Sequence, residues 1–355
     1  MMLVMKNVVF VIIPNWNGGE WLDGAIKSVL QQSYKNLVLV IVDNASSDDS
    51  NTIIESYIQK DSRVRVLRNN KNYGYTGGVN PGLELAMREG VAYAAPFNND
   101  AIADKHWLSN LVKFLEARPD YGIAACAMLH ADGKTIDSTA DQYTVWGVPF
   151  PRGRGTPAET RTTYPVEIFG ASGGASLYRI KMLQTIGIFD QDFFAYYEDI
   201  DLSFRAQLAG WKVGYAATSV VYHDQGQTSA RLAKRSTDGG PTTFTTEQFM
   251  KNLPFILVKD VPLGLLWRVF PRFLLTYLLA FSKSFTQGRG MAALKGVMLF
   301  WIKFPKKLGQ RRHIQKNRVV SNDYLWQLFV HDLPPNAYKL KKLRALWWRV
   351  IRRHS

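Results

Sequence analysis

The sequence predicts an α/β protein with a central, mostly parallel sheet, followed by a helical C-terminal region that is basic and aromatic. Two observations predict the sheet: β-branched apolar runs alternate with segments of helical apolar spacing, and the runs end in polar loops. A third observation sets the C-terminal region apart, because residues 251–355 carry a net charge of +18 and residues 1–250 carry −3. The 355 residues therefore divide into an α/β domain, 1–250, and a C-terminal region, 251–355.

Four buried strands are predicted before residue 100, because continuous apolar runs are typical of strands covered on both faces. These runs are Val8–Ile13, Leu37–Val42, Val64–Leu67 and Val91–Phe97. Apolar residues at helical spacing and small polar residues near the helix starts predict the intervening helices Trp21–Gln32, Asn51–Gln59 and Pro81–Glu89. Parallel sheets bind ligands at the carboxyl ends of their strands, so we expect the polar loops after these runs at one edge.

The second half of the α/β domain is less regular. Residues 130–165 collect Gly, Pro and Thr, which predicts a variable loop region above the ligand-binding edge. A regular pattern returns at residues 166–178, and the acidic residues that open Asp201–Gly210 predict a helix. Lys212–Tyr222 is predicted to be a strand that leads to His223.

The C-terminal region combines apolar and aromatic residues with Lys and Arg. Its longest charge-free run, Phe273–Ser282, has ten residues, well short of the ~20 that span a bilayer. This pattern predicts helices that lie on an anionic membrane surface, with four candidate anchors: Trp267, Trp301, Trp347 and Trp348. The alternative is an ordinary helical packing domain with a basic outer face. A homo-oligomer formed through these helices is a further hypothesis.

Two features bear on location. The single cysteine, Cys126, excludes an internal disulfide framework and a cysteine-rich zinc module. The apolar stretch near the N-terminus is short and reaches Pro14 without a small-residue cleavage site, which predicts a strand rather than a signal peptide. We therefore expect a cytoplasmic protein that is peripheral on the inner face of the cell membrane.

Acidic residues follow two apolar stretches at positions suited to chemistry. Asp100 comes after a buried strand and two asparagines, and Glu198 and Asp199 follow the aromatic run Phe193–Tyr197. An apolar wall can raise the pKa of a carboxyl group towards the range of a general base. Mn²⁺ accepts both carboxylate and imidazole ligands, so Asp100 and His223 together are a candidate metal site. Taken singly, Asp100 is better explained as a helix cap and His223 as an ordinary polar residue.

The glycine-rich segment 72–82 allows close approach of the backbone to a nucleotide. No Gly-Lys-Ser/Thr follows it, so it is not a phosphate-binding P-loop. The dinucleotide fingerprint is missing after the first strand, which excludes a nicotinamide-dependent oxidoreductase. A nucleic-acid-binding protein is disfavoured, because the C-terminal region is as apolar as it is basic and the acidic loops would repel a polyanion.

Seven segments follow one another along the chain: IPNWNG (13–18), VDNASSDDS (42–50), NKNYGYTGGVNPG (70–82), FNNDA (97–101), GASGGASLYR (170–179), FFAYYEDIDLSFRAQLAGWK (193–212) and VVYHDQGQTS (220–229). Together they resemble a family 2 glycosyltransferase, and within that family the rhamnosyltransferase-like branch. The resemblance covers roughly residues 7–260. It implies a GT-A fold with its catalytic domain at 1–250, a nucleotide-sugar donor, a divalent cation (Mn²⁺ or Mg²⁺) and inversion at the anomeric carbon.

The resemblance implies a nucleotide-sugar site formed by Asn17, Asp43, Asn72, Gly74, Asn80, Asn99 and Asp100. Asp43 would hydrogen-bond the pyrimidine base, and Asp100 would be the metal-binding acid of the family's Asp-x-Asp motif. The first position of that motif is Asn98 here, which leaves one carboxylate and makes His223 the natural second metal ligand. The acceptor side of the site would be shaped by Trp16, Gly173 and Gly174.

The resemblance also implies that Asp199, the second residue of a Glu-Asp pair, is the general base. Inversion requires one base to take the proton of the acceptor hydroxyl. Glu198 is the rival candidate because it is adjacent to Asp199. Along a strand the two side chains would point to opposite sides, and the sequence leaves open which of them faces the site. The pair Asp201 and Arg205, one helical turn apart, is expected to be structural.

The predicted reaction is transfer of rhamnose from dTDP-rhamnose to a lipid-linked or cell-surface glycan acceptor. UDP-sugars, including galactofuranose and other hexoses, are the alternative donors. The acceptor class rests on the composition of the C-terminal region and on the habit of the family. A soluble transferase of the same fold is the alternative to the membrane-associated enzyme.

Overall fold

The computed structural model describes residues 8–223 and 242–332. Within these ranges the strands are β1 Val9–Asn15, β2 Leu37–Asp43, β3 Val64–Arg68, β4 Tyr93–Pro96, β5 Ala101–Ala103, β6 Tyr121–His130, β7 Ile136–Ser138, β8 Asp141–Tyr143, β9 Pro149–Pro151, β10 Val166–Ile168, β11 Leu177–Arg179 and β12 Lys212–His223. The helices are α1 Gly19–Leu30, α2 Ser50–Lys60, α3 Gly74–Glu89, α4 Trp107–Glu116, α5 Ile180–Ile186, α6 Glu198–Leu208, α7 Thr243–Lys259, α8 Leu263–Thr286, α9 Gly290–Lys316 and α10 Asn322–Leu328.

A mixed sheet with the order β10-β12-β6-β11-β4-β1-β2-β3 lies at the centre. The half formed by the first four strands of the chain is parallel as predicted, because β4, β1, β2 and β3 pair in the same direction. Strand β11 is antiparallel to both β4 and β6, whereas β12 runs parallel to β6. Asn15 pairs with Asp43, and Asp43 pairs with Arg68, so the carboxyl ends of β1, β2 and β3 meet at one edge.

The third predicted helix was expected to begin at Pro81, after most of the glycine-rich segment, and this start is wrong. Helix α3 begins at Gly74 and includes Pro81. Pro81 has no N–H to donate to the carbonyl of Gly77, and the side-chain amide of Asn69 donates to that oxygen at 3.0 Å instead. A Cβ on Gly82 would lie 2.6 Å from a methyl carbon of Ile12. The glycines therefore let α3 pack close against β1.

Alternate residues of β1 enter the two cores of the sheet. Val11 and Ile13 lie on the face covered by α1 and α4, whereas Phe10 and Ile12 lie on the face covered by α3. This arrangement explains why β1 is apolar throughout, as strands covered on both faces are. Residues 130–165, predicted as a loop region, contain three short strands, of which β7 extends the central sheet and β8 pairs with β9.

The helices after residue 242 pack against the α/β domain. A third apolar cluster joins Tyr143 and Phe204 of that domain to Phe255, Leu265 and Phe329. The predicted division between residues 250 and 251 falls inside α7. The C-terminal region described here is therefore continuous with the α/β domain in its packing.

Buried ion pairs tie α7 and α9 to the segment before α6. Nζ of Lys307 lies 2.6 Å from Oδ2 of Asp190, and Nζ of Lys259 lies 2.8 Å from the same oxygen. Lys259 also pairs with Asp201, whose Oδ2 is 2.9 Å from Arg205. The Asp201–Arg205 pair is almost fully buried, which confirms its expected structural role.

In the described residues, α8 is long and apolar enough to cross a membrane by length and composition, with a mean hydropathy of 1.3 over its most apolar window. Only 17% of that window is buried. The exposed large apolar residues of α8 and α9 are Leu263, Trp267, Phe270, Leu274, Leu275, Leu278, Leu279, Phe285, Met291, Leu294, Met298, Trp301, Ile302 and Leu308. The predicted anchors Trp347 and Trp348 lie outside the described residues.

Candidate active site

Asn15 links three of the segments at the carboxyl edge of the sheet. Its Nδ2 donates to Oδ1 of Asp43 at 3.3 Å and to Oγ of Ser46 at 3.1 Å, and its Oδ1 accepts from Nδ2 of Asn99 at 2.9 Å. Asp43 is also held by the backbone N–H of Ser46 at 3.1 Å. Asp43 and Asn99, both predicted site residues, are therefore connected through Asn15, whose role the sequence analysis missed.

The loop after β1 folds back on the loop after β2. Asn17 has a positive φ of 50°, and its backbone N–H donates to Oγ of Ser46 at 2.9 Å. Oδ1 of Asn17 accepts from the N–H of Ser47 at 2.7 Å. Trp16 is half-buried beside it. Asn17 thus fixes the two loops that border the predicted nucleotide pocket.

The start of α3 lies against the aromatic segment that precedes α6. Oδ1 of Asn72 accepts from the N–H of Gly74 at 2.8 Å. Gly74 has φ 74°, and a Cβ there would lie 2.4 Å from the carbonyl oxygen of Phe194, so glycine is required. Asn80 is buried inside α3, and its side-chain amide donates to the carbonyl of Phe189 at 2.8 Å. That contact gives Asn80 a structural role within the core.

His223 lies between two carboxylates at the end of β12. Its Nε2 is 3.1 Å from Oδ1 of Asp100, and its Nδ1 is 2.8 Å from Oδ2 of Asp137. Burial alone would lower the pKa of this imidazole, but hydrogen bonds with both carboxylates raise the pKa of His223 to about 9. Arg154 pairs with the other oxygen of Asp137 at 2.9 Å. Asp137 is therefore held between a guanidinium and the imidazole that it orients.

Asp100 and His223 are brought together as predicted, and a carboxylate and an imidazole are groups that can ligate a divalent cation. Nδ2 of Asn98 lies 3.1 Å from Nε2 of His223. Among residues 8–223 and 242–332, no group of three or more His, Cys, Asp and Glu side chains is arranged to hold a metal. One carboxylate and one imidazole fit Mn²⁺ if oxygens of a bound ligand and water complete the coordination.

Glu198 and Asp199 occupy the first turn of α6 rather than a strand, so the expected strand-like alternation is wrong. Asp199 is half-buried, and its two oxygens accept from the N–H groups of Gly173 at 3.1 Å and Ile200 at 2.9 Å. Burial raises the pKa of Asp199, and these two hydrogen bonds oppose that rise. Glu198 is buried, with Oε2 unpaired. Burial first, and then the neighbouring Asp199, hold the pKa of Glu198 well above its ordinary value.

A third carboxyl group, on Asp141, belongs to this cluster. Asp141 is buried at the start of β8, and burial together with Asp199 raises its pKa well above the usual range. The sequence analysis did not single out Asp137 or Asp141. They are the two charged residues of the otherwise uncharged stretch 136–151, four positions apart, and that isolation was the available signal.

Gly173 and Gly174 connect the acidic cluster to the Asp100 loop. The N–H of Gly173 donates to Asp199, and the carbonyl of Gly174 accepts from the N–H of Asn98 at 2.8 Å. The hydroxyl of Tyr75 donates to the carbonyl of Gly173 at 2.7 Å. A Cβ on Gly174 would lie 2.9 Å from Nδ2 of Asn98. Two predicted acceptor-side residues thus place Asp199 on the same edge as Asp100 and His223.

Comparison with protein families shows which family the chain belongs to. The model of the family described as "Glycosyl transferase family 2" matches residues 10–187, half of the chain. The chain belongs to glycosyl transferase family 2. That span contains every predicted nucleotide-binding residue, whereas the Glu198–Asp199 pair and His223 lie beyond it.

Individual relatives cover different lengths of the chain. Glycosyltransferase GlyG of Streptococcus pneumoniae is 27% identical over 114 residues, 32% of this chain and 37% of GlyG. An N-acetylglucosaminyl-diphospho-decaprenol L-rhamnosyltransferase of Mycobacterium tuberculosis is 24% identical over 246 residues, 64% of this chain and 79% of that protein. The chain spans about a third to a half of the length of several other curated relatives.

Solved structures of the same fold extend beyond the family match. The mannosyltransferase PcManGT from Pyrobaculum calidifontis, in complex with GDP-Man and Mn²⁺, has a TM-score of 0.50 at 15% identity and covers 87% of this chain and 85% of its own. GalNAc-T7 with UDP, GalNAc and Mn²⁺ has a TM-score of 0.52 at 15% identity, over 79% of this chain and 57% of its own. The predicted GT-A fold is confirmed.

Proposed function

We propose that this protein is an inverting, divalent-cation-dependent glycosyltransferase that moves a sugar from a nucleotide-sugar donor to a lipid-linked or cell-surface glycan. The observation that carries the proposal is the Gly173–Gly174 connection, which holds Asp199 beside the loop of Asp100. A base to take the proton of the acceptor and a cation to stabilise the departing diphosphate can together drive displacement at an anomeric carbon.

Asp199 is the proposed general base. It is half-buried, whereas Glu198 is 6% exposed, so Asp199 is the more accessible of the two to an acceptor hydroxyl. Its carboxylate takes the hydroxyl proton as the acceptor oxygen bonds to the anomeric carbon, and the bond to the nucleoside diphosphate breaks on the opposite side. The N–H groups of Gly173 and Ile200 stabilise the charged form of Asp199 before the transfer. Inversion follows from this single displacement.

The cation-binding residues are proposed to be Asp100 and His223. A divalent cation there would supply positive charge to the diphosphate that departs. Asp137 fixes the ring of His223 through Nδ1 and thereby directs Nε2 towards Asp100. At the other end of the site, Asp43 is proposed to bind the pyrimidine base of the nucleotide, and Asn17 is proposed to line the nucleotide pocket.

Rhamnose from dTDP-rhamnose is the proposed donor. The name of the relative from Mycobacterium tuberculosis, which covers 64% of this chain, supports rhamnose and a lipid-linked acceptor. UDP-sugars are the alternative, because a 31% identical segment of 113 residues matches a protein of Escherichia coli named as a UDP-Glc-dependent β-1,3-glucosyltransferase, WfaP. Both names specify a diphosphate-linked polyprenol acceptor, which supports the acceptor class.

The exposed apolar residues of α8 and α9 support a peripheral position on the inner face of the membrane. Trp267 and Trp301 are 66% and 60% exposed. Exposed basic residues such as Arg272 of α8 and Arg312 of α9 lie on the same helices, and their charge would attract anionic lipids. A lipid surface that covers these helices would bring a lipid-linked acceptor close to the site. A homo-oligomer through the same helices is the competing way to cover them.

The test is donor turnover across a panel of nucleotide sugars, with and without Mn²⁺ or Mg²⁺, for the wild type and Asp199→Asn. We expect release of nucleotide from one donor only, dependent on the cation and lost in the variant. Nucleotide binding is recorded in the same samples, because hydrolysis without acceptor can be slow. If no nucleotide sugar or nucleoside diphosphate binds with the cation present, the proposed function is wrong.

A further inference from the structure

The segment before Asp199 has a backbone conformation that its residues disfavour. Phe194, Tyr196 and Tyr197 have φ values of 64°, 70° and 71°. A bulky aromatic residue is a conformational outlier at positive φ, and holding it there costs free energy. This conformation persists only where the surrounding structure holds it. The contacts that hold it therefore determine where α6 begins.

One of those contacts comes from α3, where the N–H of Thr76 donates to the carbonyl of Phe194 at 3.1 Å, and others come from one turn of α7. Nδ2 of Asn252 lies 3.0 Å from the carbonyl oxygen of Phe193, 2.9 Å from that of Ala195 and 2.8 Å from that of Tyr196. Nζ of Lys251 donates to the carbonyl of Phe193 at 3.2 Å. Asn252 is fully buried, so water cannot readily take the place of these hydrogen bonds if the side chain is removed. The two N–H groups of this amide are thus shared among three carbonyls of the disfavoured segment.

Aromatic packing brings the same helix against the segment. The rings of Tyr196 and Phe249 lie 5.5 Å apart, and those of Tyr197 and Phe249 lie 5.3 Å apart. Tyr197 is the residue directly before α6, and Asp199 is the second residue of that helix. The direction in which Asp199 leaves the helix therefore depends on how the segment is held.

We infer that Asn252 is a positioning residue, which fixes the aromatic segment and thereby keeps the carboxylate of Asp199 against the N–H of Gly173. This role places one determinant of the reaction on a helix that follows the α/β sheet. The inference deepens the proposed function and rests on it only in naming Asp199 the base.

The position of Asp199 has a titration signature. The ionisable groups that act on it are Glu198, Asp141, Tyr75, Tyr178, Tyr197 and Arg154. Burial raises the pKa of Asp199, and the hydrogen bond from Gly173 is the largest contribution in the opposite direction. If Asp199 moves away from Gly173, that contribution is lost and the pKa of Asp199 rises further.

The experiment compares Asn252→Ala with Gln315→Ala in the full chain. Gln315 is the matched control, because its amide donates at 2.8 Å to the carbonyl of Asp260, away from the aromatic segment. The pKa of Asp199 is measured by ¹³C NMR with labelled aspartate, and its resonance is assigned from Asp199→Asn. Nucleotide affinity and steady-state kinetics are measured on the same proteins.

In Asn252→Ala we expect the pKa of Asp199 to rise, because a hydrogen bond to its charged form is lost, and kcat to fall at least tenfold. The donor KM and the nucleotide Kd should stay within twofold, and Gln315→Ala should match the wild type. An unchanged pKa and kcat in a folded Asn252→Ala would overturn the inference, as would a parallel loss of nucleotide binding.

A second variant covers the case in which Asn252→Ala does not fold. Asn252→Ser keeps one donor and should give an intermediate kcat and an intermediate pKa of Asp199. If neither variant folds, Asn252 is a general stability determinant and the inference is wrong. If the wild type turns over no donor, the proposed function fails, whereas the NMR titration still decides the position of Asp199.

Discussion

Oδ2 of Asp137 lies 2.8 Å from Nδ1 of His223, although the two residues are 86 positions apart in the chain. The contact turns Nε2 of His223 towards Asp100 at 3.1 Å. Carboxylates that orient a metal-ligating imidazole in this way raise its basicity and fix its ring. A residue in a stretch expected to be a variable loop therefore belongs to the candidate cation site.

Asp137→Asn should weaken Mn²⁺ binding about 10–100-fold, as is typical when the partner of a ligating imidazole is changed. His223→Ala and Asp100→Asn should weaken it more, because each removes a proposed ligand. Mn²⁺ binding is measured by electron paramagnetic resonance with nucleoside diphosphate present. Asp132→Asn is the control, since Asp132 is exposed and its side chain accepts from the N–H of nearby Lys134. Equal affinity in Asp137→Asn and wild type would contradict the prediction.

Asp199→Asn should lower kcat for sugar transfer by about 10²–10⁴, the usual contribution of a general base. Nucleotide affinity should change little, because Asp199 contacts Gly173 and Ile200 rather than the residues around Asp43. Glu198→Gln is the companion variant and should retain more activity. Single-turnover rates with a saturating acceptor make the comparison. A larger loss in Glu198→Gln would assign the base to Glu198.

Lys307→Met should destabilise the protein by about 3–5 kcal/mol, because it leaves a buried carboxylate without one of its partners. Lys307 is fully buried, and its Nζ lies 2.6 Å from Asp190 and 2.9 Å from Asp192. The control is Lys303→Met, which removes a half-exposed partner of Asp192 and should cost about 0–1 kcal/mol. Urea unfolding monitored by circular dichroism measures both. Equal losses would show that burial of Lys307 is not what matters.

Acid should weaken the contact between α9 and the segment before α6. Burial would raise the pKa of Asp190, but Lys259 and Lys307 hold it well below its ordinary value, and the pKa of Asp192 is lowered to about 2. A carboxyl group with a lowered pKa contributes stability above its unfolded pKa of about 3.9 and loses it as the pH falls further. The unfolding free energy should therefore fall from about pH 4 towards pH 2, where both groups are protonated in the unfolded chain.

The matched measurement for this pH effect is the same titration in Lys307→Met. Because the variant lacks one cation beside Asp190 and Asp192, the pKa values of these carboxyl groups lie closer to their unfolded values. The unfolding free energy of Lys307→Met should therefore change less between pH 4 and pH 2. A slope identical to that of the wild type would mean that other carboxyl groups cause the acid sensitivity.

The paired substitution Trp267→Ser and Trp301→Ser should reduce flotation with anionic vesicles, since both side chains are exposed on the C-terminal helices. Binding of the wild type should also weaken as salt rises, because electrostatic attraction to lipid is screened. Tyr164→Ser is the control, an exposed aromatic residue of the α/β domain. If the wild type does not float with the vesicles at low or at high salt, these helices instead pack within the protein or form an oligomer.

The sequence by itself determined the order of strands and helices in the first hundred residues, the strand end at Asp43 and the loop that carries Asn99 and Asp100. These features depend on local patterns: apolar runs, helical spacing and the polar residues where strands end. The sequence also predicted that Asp100 and His223 lie together as metal ligands. The family's Asp-x-Asp motif keeps one carboxylate here, which made His223 the natural second ligand. The same local patterns failed at Gly74–Gly78, since glycine conceals the helical spacing that close packing against β1 requires.

Only the tertiary structure decided that Asp137 orients His223, that Gly173 holds Asp199 and that Asn252 supports the segment before α6. Each of these contacts joins residues at least 26 positions apart. Their distance depends on how β7, β11 and α7 pack, which no local spacing encodes. The sequence shows which chemical groups are present. Which group each one contacts depends on the fold, because folding brings remote segments to one edge of the sheet.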